Sequence, residues 1–385
     1  MASRQALRKA WWQVHKWGGL LLMILFIPLG LSGIVLAWDD AIDHALNPQR
    51  YAVHGAATLA PSAYAQAAAA SLQPDERISQ IRYPGGEGGP VTLFAIKAPP
   101  HKPAGEHKHD GARRGPPQRI TLWLDPQTAR VLDVEHGDRG FVRIAHDFHG
   151  SLFIPGGPGR ALIGLLGVVM FLMAVGGIWL WWPPVGTWVK GLRWQRGDRK
   201  LDTNLHHRVG FWIALPLAAQ AFTGIWMSWP QMIAVAGLAP KHVGPMERGR
   251  MVPKADPALT PEKALAAAEG ATPGKPTLIA WPTGEDGPWR VTLRTRQGSA
   301  EMLVDDASAA VTAAPPRAGG DLAMTMRHYH DGTTLGPVWR ALLVLLGLTP
   351  TLLGITGLLM WLRGRRWRAQ AARRTRDTRE PVAAA

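Results

Sequence analysis

The sequence predicts an α-helical membrane protein in which four transmembrane helices, built from a duplicated two-helix repeat, carry two α+β domains outside the bilayer. Three observations lead to this prediction. The 385-residue chain contains four long apolar segments, its positive charge is concentrated in the short connections and termini, and its second half repeats landmarks of its first half. In addition, only 18% of the residues are charged, whereas soluble proteins average about a quarter.

Each of the four apolar segments is long enough to cross a bilayer, which takes about 20 residues. The segments are His15–Trp38, Arg160–Trp182, His206–Trp229 and Arg340–Trp361. Tryptophans, which favour the boundary between lipid and water, lie at or near the ends of these segments. The first apolar run is too long for a signal peptide and no convincing cleavage site follows it, so we interpret it as a membrane anchor.

The distribution of lysine and arginine predicts the orientation. The N-terminus, the link between the second and third spans and the C-terminal tail together hold 18 of the 43 basic residues but only four of the 28 acidic ones. Cytoplasmic segments are enriched in Lys and Arg. We therefore expect both termini in the cytoplasm and both large loops outside the cell membrane. The basic residues then face anionic lipid and do not indicate nucleic-acid binding.

The two halves of the chain repeat one another. The second and fourth spans align without a gap at an offset of 180 residues, and the first and third align at an offset of 191. The latter alignment pairs His15 with His206 and Ser32-Gly33 with Thr223-Gly224. Because each half begins and ends on the same side, the repeat is parallel and its pseudo-twofold axis lies along the membrane normal.

The large loops also resemble each other. Each contains an Ala-rich, helix-favouring stretch (62–72 and 261–269) followed by alternating residues typical of strands, with turns at Asp125-Pro126 and Asp305-Asp306. The first loop alone carries a polar insertion, His101–Arg119, which we interpret as a solvated loop. The predicted organisation, in chain order, is the N-terminus with the first span (1–38), external domain 1 (39–159), span 2 (160–183), a basic cytoplasmic loop (184–205), span 3 (206–230), external domain 2 (231–339), span 4 (340–362) and a basic tail (363–385).

Four histidines point to metal chemistry. The absence of cysteine excludes thiolate zinc sites and Cys-ligated iron–sulfur clusters. His15 and His206 lie at equivalent positions at the cytoplasmic ends of spans 1 and 3, and His149 and His330 lie just outside spans 2 and 4. A pseudo-twofold axis brings equivalent positions face to face, so each pair can supply two axial imidazoles to one haem iron. We therefore predict two b-type haems, one near each membrane surface.

Other interpretations of these residues stay open on the sequence alone. A single interfacial histidine more often makes hydrogen bonds than ligates a metal, and His207, His146 and His328 are close rivals of the chosen ligands. Asp147 and Asp331 flank the outer pair, either to orient the imidazoles or as solvated charges. No nucleotide-binding motif, HExxH or nucleophile elbow is present in the sequence, so a cytoplasmic electron donor is expected to be a separate partner.

These motifs resemble those of the PepSY-associated transmembrane family. The resemblance rests on the segments HKWGG, DFHGSLF, LHHRVGFW and YHDG, and on the hairpins that follow Asp125 and Asp305. It implies a protein of the bacterial inner membrane with two periplasmic PepSY-like domains. It also implies haem-dependent electron transfer to a ferric siderophore, with His15, His206, His149 and His330 as iron ligands. The alternatives are a PepSY-type sensor that regulates a periplasmic peptidase, and a haem conduit to another periplasmic acceptor.

Overall fold

The computed structural model describes residues 4–86, 88–97, 118–137, 140–181, 200–229, 252–284, 286–315 and 320–377. Nearly all of the polar insertion and most of the basic loop lie outside the described residues. The described chain forms two compact units: residues up to 39, 144–229 and 320–377 make a helical unit, and residues 40–143 and 252–315 make a sheet unit.

The elements follow in chain order: α1 (Arg4–Ala37), α2 (Asp39–Leu46), a 3₁₀ turn (Pro48–Tyr51), α3 (Pro61–Ala69), β1 (Glu76–Arg82), β2 (Val91–Lys97), β3 (Arg119–Leu124), β4 (Val131–His136), α4 (Phe141–Ser151), α5 (Gly157–Trp181), α6 (Leu201–Ser228), α7 (Pro261–Ala271), β5 (Lys275–Ala280), β6 (Trp289–Thr295), β7 (Gly298–Val304), β8 (Val311–Ala313), α8 (Gly320–Asp331) and α9 (Gly336–Asp377).

Four helices, α1, α5, α6 and α9, are long and apolar enough to cross a bilayer, with candidate spans of 33, 25, 28 and 40 residues. The chain is thus a multi-pass membrane protein, and the four predicted spans are confirmed. The first and last helices extend beyond the predicted spans into basic sequence, because Arg and Lys are good helix formers.

Small residues allow the spanning helices to approach closely. A Cβ at Gly30 of α1 would clash with the carbonyl oxygen of Gly347 on α9, and a Cβ at Gly167 of α5 would lie 2.9 Å from the side chain of Ile225 on α6. Gly167 and Gly347 are separated by the 180-residue offset of the repeat. Corresponding helices therefore pack at corresponding glycines, as is common where packing rather than hydrophobic exclusion holds membrane helices together.

The sheet unit is one antiparallel sheet of eight strands in the order β4-β3-β2-β1-β5-β6-β7-β8. Each half contains the expected helix and hairpins, but β1 and β5, which the sequence did not reveal, pair with each other through Ile81 and Ile279. This pairing removes two strand edges that would otherwise be open. The two predicted modules therefore share a single sheet instead of forming two separate sheets.

The two halves of the sheet unit repeat the same turn between their third and fourth strands. A carboxylate oxygen of Asp125 accepts hydrogen bonds from the backbone and hydroxyl of Thr128, and Asp305 does the same for Ser308. Each turn then places an alanine in the left-handed region, Ala129 at φ 56° and Ala309 at φ 58°. Burial raises the pKa of Asp125, but hydrogen bonds from His54 and Thr128 outweigh it and hold this pKa below its usual range.

Arg50 fastens the 3₁₀ turn to the outer strand β4. Its guanidinium pairs with Asp43 at 3.0 Å, Asp133 at 2.6 Å and Glu135 at 2.7 Å, and its Cζ lies 3.8 Å from the centre of the Trp123 ring. The arginine side chain is only 10% exposed. These three carboxylates stabilise the fold of the sheet unit, because a buried arginine without charged partners would be strongly destabilising.

Candidate functional site

The four predicted histidines come together in two pairs in the helical unit. The ring centroids of His15 on α1 and His206 on α6 are 6.5 Å apart, and the rings are nearly perpendicular at 86°. The centroids of His149 on α4 and His330 on α8 are 6.2 Å apart, with the rings inclined at 53°. Each pair joins one histidine from each half of the sequence, as the repeat predicted.

Short helices followed by tight turns position the outer pair. After α4 the chain reverses into α5 through two left-handed residues, Leu152 at φ 51° and Phe153 at φ 60°. Their amides donate to the carbonyl oxygens of Phe148 and Asp147, at 2.8 and 3.2 Å. Non-glycine residues rarely adopt this conformation, so the turn is a specific feature of the connection that follows His149.

The corresponding turn after α8 uses Gly332 at φ 73°. Asp331 caps this turn, since one of its carboxylate oxygens accepts hydrogen bonds from the amide of Thr333 at 3.0 Å and from its hydroxyl at 2.8 Å. Its other carboxylate oxygen lies 3.5 Å from Arg327. These contacts assign Asp331 to the turn, while the imidazole nitrogen of His330 is met by a hydroxyl on another helix.

Hydroxyl groups on the spanning helices hold three of the four imidazoles through Nδ1. Oγ of Ser32 lies 3.0 Å from Nδ1 of His149, Oγ1 of Thr223 lies 2.9 Å from that of His330, and Oγ1 of Thr356 lies 3.0 Å from that of His206. The sequence alignment matched Ser32 with Thr223 only as a landmark of the repeat. That match was the available signal for these partners, but it did not show which side chain the hydroxyls would meet.

The hydroxyl protons determine the tautomer of these histidines. Each hydroxyl donates to a carbonyl oxygen three or four residues earlier in its own helix, so its oxygen is left to accept from an Nδ1–H group. At His330 the amide nitrogen of Gln220 also lies 3.3 Å from Nδ1, but it donates to the carbonyl oxygen of His330 at the shorter distance of 2.9 Å. A protonated Nδ1 leaves Nε2 with the lone pair that a metal ligand needs. The three hydroxyl donors and their acceptors are Ser32 to Leu29 at 2.9 Å, Thr223 to Gln220 at 2.8 Å and Thr356 to Leu352 at 2.7 Å.

His149 gives independent support for this assignment. Its Nδ1 also lies 3.0 Å from the carbonyl oxygen of Leu29, and a carbonyl can only accept, so Nδ1 of His149 must carry the proton.

A glycine lies beneath each of the four rings. A Cβ added to Gly33 or Gly224 would lie 3.1 Å from Cε1 of His149 or His330, which is tighter than ordinary contact. A Cβ on Gly177 or Gly357 would lie 3.4 Å from Cε1 of His15 or His206. Each ring therefore rests on helix backbone at a position where a side chain would intrude.

His15 is the exception among the four. Its Nδ1 is buried and has no hydrogen-bond partner among the described residues. The 180-residue offset places Gly176 where the partner of His206, Thr356, stands in the other half. The space beside Gly176 is filled by the indole of Trp11, whose Nε1 is also buried and lacks a partner in the described part of the chain.

The centroid spacing of each pair is that expected for two imidazoles bound to one iron. An imidazole nitrogen binds iron at about 2 Å and lies about 1.1 Å from its ring centroid, so two imidazoles on opposite sides of one iron have centroids about 6.2 Å apart. The observed 6.5 and 6.2 Å agree with this value. The described residues contain no group of three or more metal-binding side chains, whereas a protein-only zinc site needs three or four ligands. Two ligands suit a macrocycle, which supplies the other four.

The two pairs lie far apart along the bundle. His15 is on α1, and Ser32, which contacts His149, is 17 residues further along the same helix. At 1.5 Å per residue this separation is about 25 Å, most of the hydrocarbon thickness of a bilayer. The two pairs are therefore separate sites.

The outer histidines are held in their neutral form. Burial lowers the pKa of His149, and burial together with the neighbouring His149 ring lowers the pKa of His330 to about 4. A neutral imidazole is the form that binds metal ions. Burial therefore favours the protonation state that ligation requires.

The rival histidines are placed differently. His146 on α4 is 63% exposed, and its nearest charged partner is Asp147 at 4.0 Å. The ring of His207 lies 6.3 Å from that of its chain neighbour His206, but the partner that His206 meets across the helices is His15. His328 contributes its carbonyl oxygen to the turn at Gly332. Among the described residues, the histidine rings that meet across helices are those of His15 with His206 and of His149 with His330.

The comparison with known families agrees with the sequence motifs. The model of the PepSY-associated TM region matches residues 12–364, nearly the whole chain and all four paired histidines. The chain therefore belongs to the PepSY-associated transmembrane family. A search of curated proteins found no significant match.

Proposed function

We propose that this member of the PepSY-associated transmembrane family is a di-haem electron-transfer protein of the bacterial inner membrane that reduces ferric siderophores in the periplasm. The observation that carries the proposal is the presence of two facing histidine pairs at the spacing of bis-imidazole ligation. His15 and His206 would hold the cytoplasmic-side haem, and His149 and His330 the periplasmic-side haem. Bound there, the b-type haems would supply one-electron redox chemistry.

The chain's own residues hold and orient the ligands. Ser32, Thr223 and Thr356 keep Nδ1 protonated and so leave Nε2 of three histidines with the lone pair that would bind the iron. The four glycines leave room for each imidazole. The corresponding placement of hydroxyls, glycines and turns in both halves supports our proposal that the fold arose by internal duplication.

The net reaction is the gain of one electron by Fe(III) in the siderophore, which becomes Fe(II). Oxygen-donor chelators bind the less charged ion more weakly, so reduction favours release of the metal. The reaction needs no acid, base or nucleophile, in keeping with a site built from ligands alone. A separate cytoplasmic donor supplies the electrons, and the distribution of basic residues supports the inward placement of both termini.

The choice of substrate rests on similarity of layout. In length and arrangement of spans, the chain resembles ferrioxamine reductases, which suggests a ferric siderophore as the acceptor. A haem conduit to another periplasmic acceptor would use the same histidines, and a haem-free PepSY-type sensor would not need them as ligands.

Spectroscopy on the purified full-length protein tests the proposal. We expect a reduced-minus-oxidised difference spectrum typical of b-type haem and about two haems per chain by pyridine haemochrome, which also assays the variants. His149→Ala or His330→Ala should remove one haem, and His15→Ala or His206→Ala the other. His146→Ala is the matched control and should keep both.

Absence of haem from the purified protein would contradict the proposal and favour a sensor. Stopped-flow mixing of the dithionite-reduced protein with a bulky ferric siderophore tests the substrate. We expect the siderophore to reoxidise the wild-type protein but not the His330→Ala variant. A reduced spectrum that the siderophore leaves unchanged would instead favour a haem conduit to another periplasmic acceptor.

A further inference from the structure

The surroundings of the four imidazoles follow one rule with one exception. Three of them donate Nδ1–H to a hydroxyl that is itself fixed to its helix, whereas His15 has Gly176 at the position of that hydroxyl. The outer pair has two such hydroxyls, from Ser32 and Thr223. The inner pair has one, from Thr356.

Packing around Gly176 explains why a side chain is missing there. A Cβ at this position would overlap the indole of Trp11. Trp11 and His15 are four residues apart on α1, and residues at this spacing lie on the same face of a helix. The indole therefore occupies the space in which a hydroxyl would reach Nδ1 of His15.

A hydrogen bond from Nδ1–H changes the ligand as well as its orientation. An acceptor at Nδ1 withdraws the proton partly from the ring, so Nε2 becomes a more basic ligand and stabilises ferric over ferrous iron. Hydrogen bonding of this kind is one of the means by which proteins tune the reduction potential of a haem. A histidine without the acceptor is a weaker electron donor, and its iron is easier to reduce.

We propose that the residues at positions 32, 223, 356 and 176 are positioning residues that set the electron donation of the four histidines, and that Gly176 makes the inner pair, His15 and His206, the site of higher reduction potential. This inference rests on the proposed haem ligation. It assigns the weaker electron donation of His15 to the missing hydroxyl at position 176. The outer rings have further polar neighbours, the carbonyl oxygen of Leu29 at 3.0 Å from Nδ1 of His149 and the amide nitrogen of Gln220 at 3.3 Å from that of His330, so among the described residues the inner pair is the one with fewer hydrogen-bond partners.

Spectroelectrochemical titration of the full-length protein tests the inference. We expect two midpoint potentials in the wild-type protein. Thr356→Val, which keeps the shape of the side chain but removes the hydroxyl, should raise the higher potential and leave the lower one unchanged. Thr223→Val is the matched control at the outer pair and should raise only the lower potential. A tenfold change in the relative stability of ferric and ferrous forms would appear as a shift of about 59 mV.

The converse substitution supplies the missing group. In a Trp11→Ala background, which frees the space beside position 176, Gly176→Thr should lower the higher potential relative to Trp11→Ala alone. Electron paramagnetic resonance of the ferric protein should show an altered low-spin signal for that haem only, a readout that loss of folding would not reproduce.

Two results would overturn the inference while leaving the proposed function intact: two haems whose potentials do not respond to Thr356→Val, or a response of the lower potential to that substitution. A protein that binds no haem would contradict the proposed function itself. If the double variant does not fold, the Thr356→Val and Thr223→Val pair still decides the question.

Discussion

Replacing Gly33 by alanine tests whether close packing against Gly33 holds the imidazole of His149 in place. The new methyl carbon would lie 3.1 Å from Cε1 and 3.7 Å from Nδ1 of the imidazole. Ordinary carbon–carbon contacts begin at about 3.5 Å, so the ring must move by about 0.4 Å. Nδ1 is held by Ser32 and Leu29, both at 3.0 Å, and this movement strains those bonds. Overpacking of this kind costs about 1–3 kcal/mol. If the whole cost falls on the haem-bound state, haem affinity falls roughly 5- to 150-fold.

The structure also predicts a gradation among the four glycines. Gly224→Ala should resemble Gly33→Ala, because its Cβ would also lie 3.1 Å from a ligand ring, that of His330. Gly177→Ala and Gly357→Ala should have smaller effects, since their Cβ atoms would lie 3.4 Å from the inner rings, close to ordinary contact. Gly33→Ala and Gly224→Ala should therefore lose more of the outer haem than Gly177→Ala and Gly357→Ala lose of the inner haem.

Haem content per chain and the low-spin signal of the ferric protein measure these effects. The control is Gly150→Ala, next to His149 in α4, where a Cβ meets nothing within 4 Å and alanine favours the helix. If Gly33→Ala and Gly224→Ala keep as much haem as this control, or if the inner variants lose more than the outer ones, the assignment of the glycines is wrong.

Three further predictions concern the topology and the sheet unit. A reporter active only in the periplasm should be active when fused after Ala104 or Ala271 and silent after Arg196, and activity after Arg196 would reverse the orientation. Arg50→Met should lower the free energy of unfolding of the sheet unit by about 3 kcal/mol, because it leaves three carboxylates without their shared cation. Thermal unfolding measures this change, and a loss below about 0.5 kcal/mol would show that the network does not stabilise the sheet unit. Asp125 has a pKa below its usual range in the folded state, so its stabilisation is complete above about pH 4 and is lost as the pH falls below that value. Asp125→Asn should be less stable at pH 7 and lose less stability on acidification, and unfolding midpoints that fall in parallel with the wild-type protein would contradict this.

Much of the architecture could be predicted because the relevant signals are local. The four apolar segments predict the four spans directly. The spacing of His15 and His206 in the repeat predicted that these two histidines would face each other. The strands β1 and β5 were missed because both are mixed in polarity, and their pairing through Ile81 and Ile279 joins residues almost 200 positions apart. Asp147 and Asp331 were considered as partners of the outer imidazoles because they are adjacent in sequence, but the hydroxyls that meet those rings come from other helices.

The sequence by itself determined the membrane class, the number of spans and the two sets of paired histidines, since hydropathy and repeat spacing do not depend on how distant segments pack. Only the tertiary structure decided the hydrogen-bond partners of those histidines. Thr356 contacts His206 across 150 residues, and Gly176, its counterpart, leaves Nδ1 of His15 without a partner among the described residues. The lack of a side chain at Gly176 can be interpreted only from the tertiary structure, because the space beside this residue is filled by the indole of Trp11 on another helix.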